Sequence, residues 1–348
     1  MWWVRGAVAV SVAATSSALA LAWLPPEDAG PVHPAPRPMS PVRAIPADAC
    51  GLPPTAPLTP SDLPDGASAV DCAAVGRLVV HDGAGLTVPA PGERATVDAL
   101  TVNGSRHGFT VAVAADGTVS YAFEEPGDAA HSHGSAHAAP ASPAGAARAA
   151  CADGAYATAG HKEYGTYEWF LGDGPLPGNL SADEVRRAFE DAIGTITASR
   201  NDCGLGDTVG ARARYLSRTG SEADIDREAR CMARDGVSVW DAGDLVPGVV
   251  ATTCSWSRAA EGGGFDELRE ADVRFNIRDH AFTDRPGERC DKEYDLRSVA
   301  THEAGHVFGL AHVGAGHETQ TMYTNSFTCS TTARTLGKGD VLGLRDLY

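Results

Sequence analysis

The chain has 348 residues, 43% of them hydrophobic, so it is long enough for two domains and a sizeable core. Its formal net charge of −17 excludes nucleic acid or an anionic membrane surface as the main partner, because both require a basic face.

Arg5 and the apolar stretch from Gly6 to Leu24, with Ala18-Leu19-Ala20 as a small-x-small cleavage site, read as a signal peptide over residues 1–24. The stretch is nearly long enough to span a bilayer, so an uncleaved anchor is the alternative. The expected location is therefore secreted, or membrane-anchored and facing outside. Membrane contact is expected only if this segment is retained. Thirteen of the 22 prolines lie between Pro25 and Pro64, which makes residues 25–66 an extended Pro-rich linker.

A small β unit is expected over 67–126. Arg77–Val80, Ala95–Val102 and Phe109–Val113 have strand composition. Asp116-Gly117 then turns the chain into Thr118–Phe123. About 60 residues is short for an independent core, and the unit is either a pro-segment removed on maturation or a permanent accessory domain. Residues 127–150, rich in Ala, Pro and His, read as a second linker. His131, His133 and His137 could bind metal there, but a polar, flexible tract is the preferred reading.

From Cys151 to Tyr348 helix and strand signals alternate, as in an α/β or α+β domain. Ser181 and Glu184 form a capping box ahead of Val185, Phe189, Ala192, Ile193 and Ile196, which recur at helical spacing. Val249–Thr253 and Ala271–Asn276 read as strands. One helix is expected from about Asp295 to Gly309, and another carries Val341, Leu344 and Leu347 on one face. Eight cysteines in an exported chain favour disulfides, with Cys50–Cys72 and Cys290–Cys329 the expected pairs.

The run that carries chemistry is His302-Glu303-Ala304-Gly305-His306-Val307-Phe308-Gly309-Leu310-Ala311-His312. Residues four apart on a helix share a face, about 6 Å apart along the axis, so His302 and His306 can meet one ion. Glu303 beside them is placed to take a proton from a metal-bound water. Gly309 suits a left-handed turn out of the helix, which returns His312 as third ligand. Three neutral nitrogens and one open position describe a catalytic zinc site.

This run matches the metzincin signature HExxHxxGxxH, and Met322 lies ten residues beyond His312 as a Met-turn should. Within the metzincins the chain resembles the matrixins and their bacterial relatives. Tyr323 follows Met322, the strand Ala271–Asn276 and the segment Tyr294–Thr301 precede the signature, and Gly337–Tyr348 resembles the closing helix. The likeness covers roughly residues 160–348.

The resemblance implies an α+β metzincin-like catalytic domain over 151–348: a mixed twisted sheet with long helices, preceded by the small β unit. It implies a zinc metalloendopeptidase acting on protein or peptide substrates, with His302, His306 and His312 as metal ligands and Glu303 as general base. Met322 would form the floor under the metal, where without the resemblance it reads as ordinary core. Tyr323 would shape the substrate pocket, and Val249–Thr253 would be the edge strand that pairs with extended substrate. A second, structural zinc and calcium are further cofactors of such enzymes, with no site placed here. His161, His280 and His317 are free candidates for them, with an ordinary surface histidine the preferred reading of each. No Pro follows Tyr323, unlike many matrixins. Cys50-Gly51-Leu52-Pro53 resembles a latency motif without its preceding Arg, and a disulfide to Cys72 is the preferred reading. The alternative function is a catalytically weak, zinc-containing extracellular binding protein.

Overall fold

The computed structural model describes residues 50–103, 108–124, 143–206, 209–287 and 290–348. The expected signal segment, most of the Pro-rich linker and the tract with His131, His133 and His137 lie outside these residues. In the N-terminal part run β1 (Leu78–His81), β2 (Ala84–Thr87), β3 (Glu93–Thr101), β4 (Phe109–Val113) and β5 (Val119–Phe123). Then come α1 (Pro143–Ala152), β6 (Ala157–Thr158), β7 (His161–Lys162), β8 (Tyr167–Gly172), α2 (Ala182–Thr197), β9 (Ala213–Thr219), β10 (Arg230–Cys231) and β11 (Val239–Gly243). The chain closes with β12 (Val249–Arg258), β13 (Asp266–Asn276), β14 (Ala281–Thr283), β15 (Glu293–Asp295), α3 (Leu296–Val307), β16 (Leu310–Ala311) and α4 (Lys338–Leu347).

The architecture is α+β. Among the described residues the main sheet has nine strands, in the order β5-β4-β3-β12-β13-β11-β8-β9, with β7 pairing β13 from outside this path. It is mixed: β11 runs parallel to β8 and β13, and β12 runs antiparallel to β13.

α2 starts where the capping box requires. Ser181 accepts from the Glu184 amide, and Glu184 accepts from the Ser181 amide at 2.9 Å. Its apolar stripe packs on the sheet, with Phe189 stacked on Phe275 (4.9 Å between centroids) and tilted against Trp240 (5.0 Å). α3 crosses the same layer, capped by Asp295, whose carboxylate accepts from the Ser298 amide at 3.0 Å. Only its buried faces are apolar enough to hold it there, through Leu296, Val299, Ala300, Ala304 and Val307.

Two expectations change. The stretch read as a tether up to residue 66 enters the fold at Cys50: Leu58 and Leu63 are fully buried, and Leu58 bridges Val79. Two apolar residues at sites that turns can present outweigh the local proline content. Second, the N-terminal β unit has no separate core. Val79, Leu86, Val97 and Val111 share one cluster with Ile225, Cys231, Val249 and Trp256 of the later chain. The unit is too small to bury its own apolar face, and it does so against its neighbour.

Both expected disulfides form, Cys50–Cys72 and Cys290–Cys329, together with Cys151–Cys203 and Cys231–Cys254. Among the described residues no helix is long and apolar enough to cross a membrane.

Candidate metal centre

α3 ends at Phe308, and Gly309 adopts φ +94°, the left-handed turn its position demands. A β-carbon there would overlap the carbonyl of His161. The Gly309 carbonyl accepts from the Ala159 amide at 2.8 Å, and β16 pairs with β6, which brings the chain back along α3. His312 is thereby returned to the helix face that holds His302 and His306.

The three rings converge. Their Nε2 atoms lie 3.0 Å (His306–His302), 3.1 Å (His302–His312) and 3.1 Å (His306–His312) apart. The outer nitrogens fix the tautomers of two rings: His302 Nδ1 donates to the Thr321 carbonyl at 2.7 Å and His306 Nδ1 to the Leu310 carbonyl at 3.0 Å. Their Nε2 lone pairs therefore face one another in a buried space. That arrangement is repulsive unless an electropositive centre sits among them. The spacing suits a single ion about 2.0–2.1 Å from each nitrogen, so the residues fit zinc. Burial, with the charge on His312 second, lowers His302 to about 3. Burial also works against a charged His312, yet the Glu124 carboxylate on its Nδ1 raises it to about 9.

Glu303 is fully buried beside this triangle. Burial raises it to about 8, opposed by the Thr253 hydroxyl, which donates to Oε2 at 2.6 Å. Its Oε1 has no hydrogen-bond partner.

Met322 is buried, its sulfur against Gly305 on the turn of α3 between His302 and His306. A side chain at 305 would displace it. The turn is held by Asp340 of α4, a buried carboxylate that accepts from the amides of Thr321 (2.9 Å), Met322 (3.2 Å) and Gly337 (2.8 Å). Tyr323 stacks on Phe327 (6.1 Å, 10°), and both line a cavity of about 30 Å³ beside His302.

Sequence reasoning missed several of these partners. Asp340 was readable only as a first-turn acid of α4. Thr253, Thr321 and Glu124 carry no local signature, since each meets its partner from a distant part of the chain. Two expectations are corrected. His161 is not on the surface: it is fully buried, with Nε2 at 3.2 Å from the His306 carbonyl. Val249–Thr253 is not an edge, because β3 covers β12 along its length, from Val249↔Thr101 to Arg258↔Glu93. His280 meets the Val249 carbonyl (3.0 Å) and His317 meets Asp153 (2.8 Å), so neither faces the triangle.

Residues 211–348 match the family model described as Matrixin. This part of the chain is a matrixin-like metzincin. The match carries a metalloprotease-type function, zinc dependence and protein or peptide substrates for the matrixin-like part. A search of curated proteins found no matching relative.

Proposed function

We propose that the chain is a secreted zinc endopeptidase, with His302, His306 and His312 as the metal ligands and Glu303 as the general base. The observation that carries this reading is the convergence of three Nε2 atoms within 3.1 Å, two of them with tautomers set by backbone carbonyls.

Zinc, when bound, supplies Lewis acidity: it polarises a carbonyl oxygen and eases deprotonation of water. The chain supplies the rest. Thr253 holds one oxygen of Glu303 and leaves Oε1 to accept a proton from the attacking water. The same carboxyl then returns that proton to the leaving amine. Met322 and Asp340 hold the Thr321 carbonyl that orients His302, and Tyr323 and Phe327 wall the cavity for a substrate side chain. Four disulfides and the leader-like N-terminus support export.

The test combines metal content with hydrolysis. The purified chain is expected to hold one zinc, retained in Glu303→Ala and lost in His306→Ala. Casein hydrolysis, followed over long incubations, is expected to stop with a chelator and to fall at least about 100-fold in Glu303→Ala. A chain without tightly bound zinc, or hydrolysis that survives Glu303→Ala, overturns the reading. The second reading, a zinc-containing binding protein, is favoured only if the zinc-loaded chain cleaves no peptide.

A further inference from the structure

Two of the three converging rings are oriented from inside the matrixin-like part, by the carbonyls of Thr321 and Leu310. The third is not. His312 Nδ1 bonds the carboxylate of Glu124, which follows β5 in the N-terminal unit, 188 residues earlier in the chain. Both side chains of this pair are largely buried. A neutral imidazole with its proton on Nδ1 presents a bare Nε2 lone pair, the form that binds a metal. A carboxylate on that proton selects this tautomer and makes Nε2 a stronger donor.

The fold makes room for the contact. Phe109 pairs with Phe123 between β4 and β5, so Gly108 and Glu124 stand next to each other just beyond that pair. A β-carbon at Gly108 would lie 2.6 Å from the Glu124 carboxyl carbon. Glycine there lets the carboxylate pass close to the backbone on its way to His312. Asp98 of β3 adds a second acid. It is buried, and its Oδ2 has no hydrogen-bond partner and lies 3.8 Å from His306 Nδ1. One oxygen each of Asp98 and Glu124 and one nitrogen of His312 all lie within 4.8 Å of one another. Two acids this close repel unless positive charge sits beside them. Three neutral imidazoles bring no charge to a dication, so these acids balance it from the outer side of the rings.

We propose that Glu124 is a positioning residue of the metal centre: it holds the Nδ1 proton of His312, with Asp98 as a second counter-charge, so that the N-terminal unit completes a zinc site whose ligands all lie in the matrixin-like part. The inference rests on the peptidase reading above for its ligand set. It makes the N-terminal unit a component of the site, because loss of the unit strips His312 of its partner.

The test uses the full chain, freed of metal and titrated with zinc against a chromophoric chelator. Glu124→Gln, Glu124→Ala, Gly108→Ala and Tyr121→Phe are compared with the parent. Gly108→Ala keeps the acid and pushes its carboxylate aside, at little cost to the fold because that group ends a flexible side chain. Tyr121→Phe is the control. It removes the bond from the Tyr121 hydroxyl to the Leu63 carbonyl (2.7 Å) and leaves Glu124 in place. Zinc affinity is expected to fall about 10–100-fold in Glu124→Ala and Gly108→Ala. Glu124→Gln still accepts from Nδ1 but carries no charge, and should lie between them and the parent. Tyr121→Phe should match the parent. Visible absorption of the cobalt-loaded chains is the second readout. Its bands should shift in the Glu124 and Gly108 variants and stay in place in Tyr121→Phe. Gly108→Ala decides the matter if Glu124→Ala does not fold. Equal zinc affinity and equal cobalt spectra across the series overturn the positioning role and leave the peptidase reading intact. A loss in Tyr121→Phe as large as in Gly108→Ala assigns the effect to packing of the unit and also overturns it. A parent that binds no zinc sinks the peptidase reading, and this inference with it.

Discussion

At the scale of single residues, the return of His312 to the histidine triangle depends on Gly309. Its φ of +94° and the His161 carbonyl standing where a β-carbon would go leave no place for a side chain. Gly309→Ala is therefore expected to cost at least about 2 kcal/mol and to weaken zinc retention, because any relief moves His312. Thermal melting and metal content check this, and a melting temperature unchanged within a degree would sink it. His161 makes a second case. It is fully buried, and that burial lowers it to about 4 from 6.5. Between those values the unfolded chain binds the proton and the folded one does not. The stability is thus fully present above pH 6.5 and lost as pH falls toward 4, by about 3 kcal/mol. In urea titrations the advantage of the parent over His161→Gln is expected to shrink by about that amount from pH 7 to pH 4. A constant difference would refute the assignment. His302, Glu303, His306, Gly309 and His312 were legible because their spacing along one helix and one turn is itself the geometry of the site. His161 was not, since nothing nearby in sequence says that a two-residue strand will carry it under α3.

Elements were legible where their own pattern decides. The Ser181 box and the stripe from Val185 to Ile196 mark α2, and Asp116-Gly117 marks the turn from β4 to β5. β8, β9 and β11 were not separated, because Trp169, Tyr215 and Trp240 stand among polar residues whose partners lie in other strands. The turn at Met322 shows the same limit. Its position came from Met322, but its anchor comes from α4. Asp340 accepts three amides while burial raises it to about 6. Asp340→Asn keeps the shape and loses acceptor capacity, which should cost about 1–3 kcal/mol in urea unfolding and loosen the Thr321 carbonyl on His302. If stability is unchanged, the carboxylate does not hold the turn.

For the whole molecule, the α+β class and the composition of both halves were readable, but the join between them was not. β3 and β12 are more than 140 residues apart, and nothing in either segment names the other as its partner. What unites them is apolar surface that neither half can bury alone: Val97 and Val111 from one side, Val249 and Trp256 from the other. A boundary drawn by composition cannot report that the folded parts on either side share one sheet, nor that α1 occupies the end of the tract read as the second linker.

The Cys231–Cys254 bridge has a further effect on how such a molecule comes apart. β10 carries Cys231 and pairs with β2, while β12 carries Cys254 and pairs with β3. The two receiving strands are tied, so the N-terminal unit is gripped at two seams by one clasp. When one seam opens, the other holds the partner at millimolar effective concentration, and the open seam rezips before the unit diffuses away. A single cut in the connecting chain leaves that grip in place.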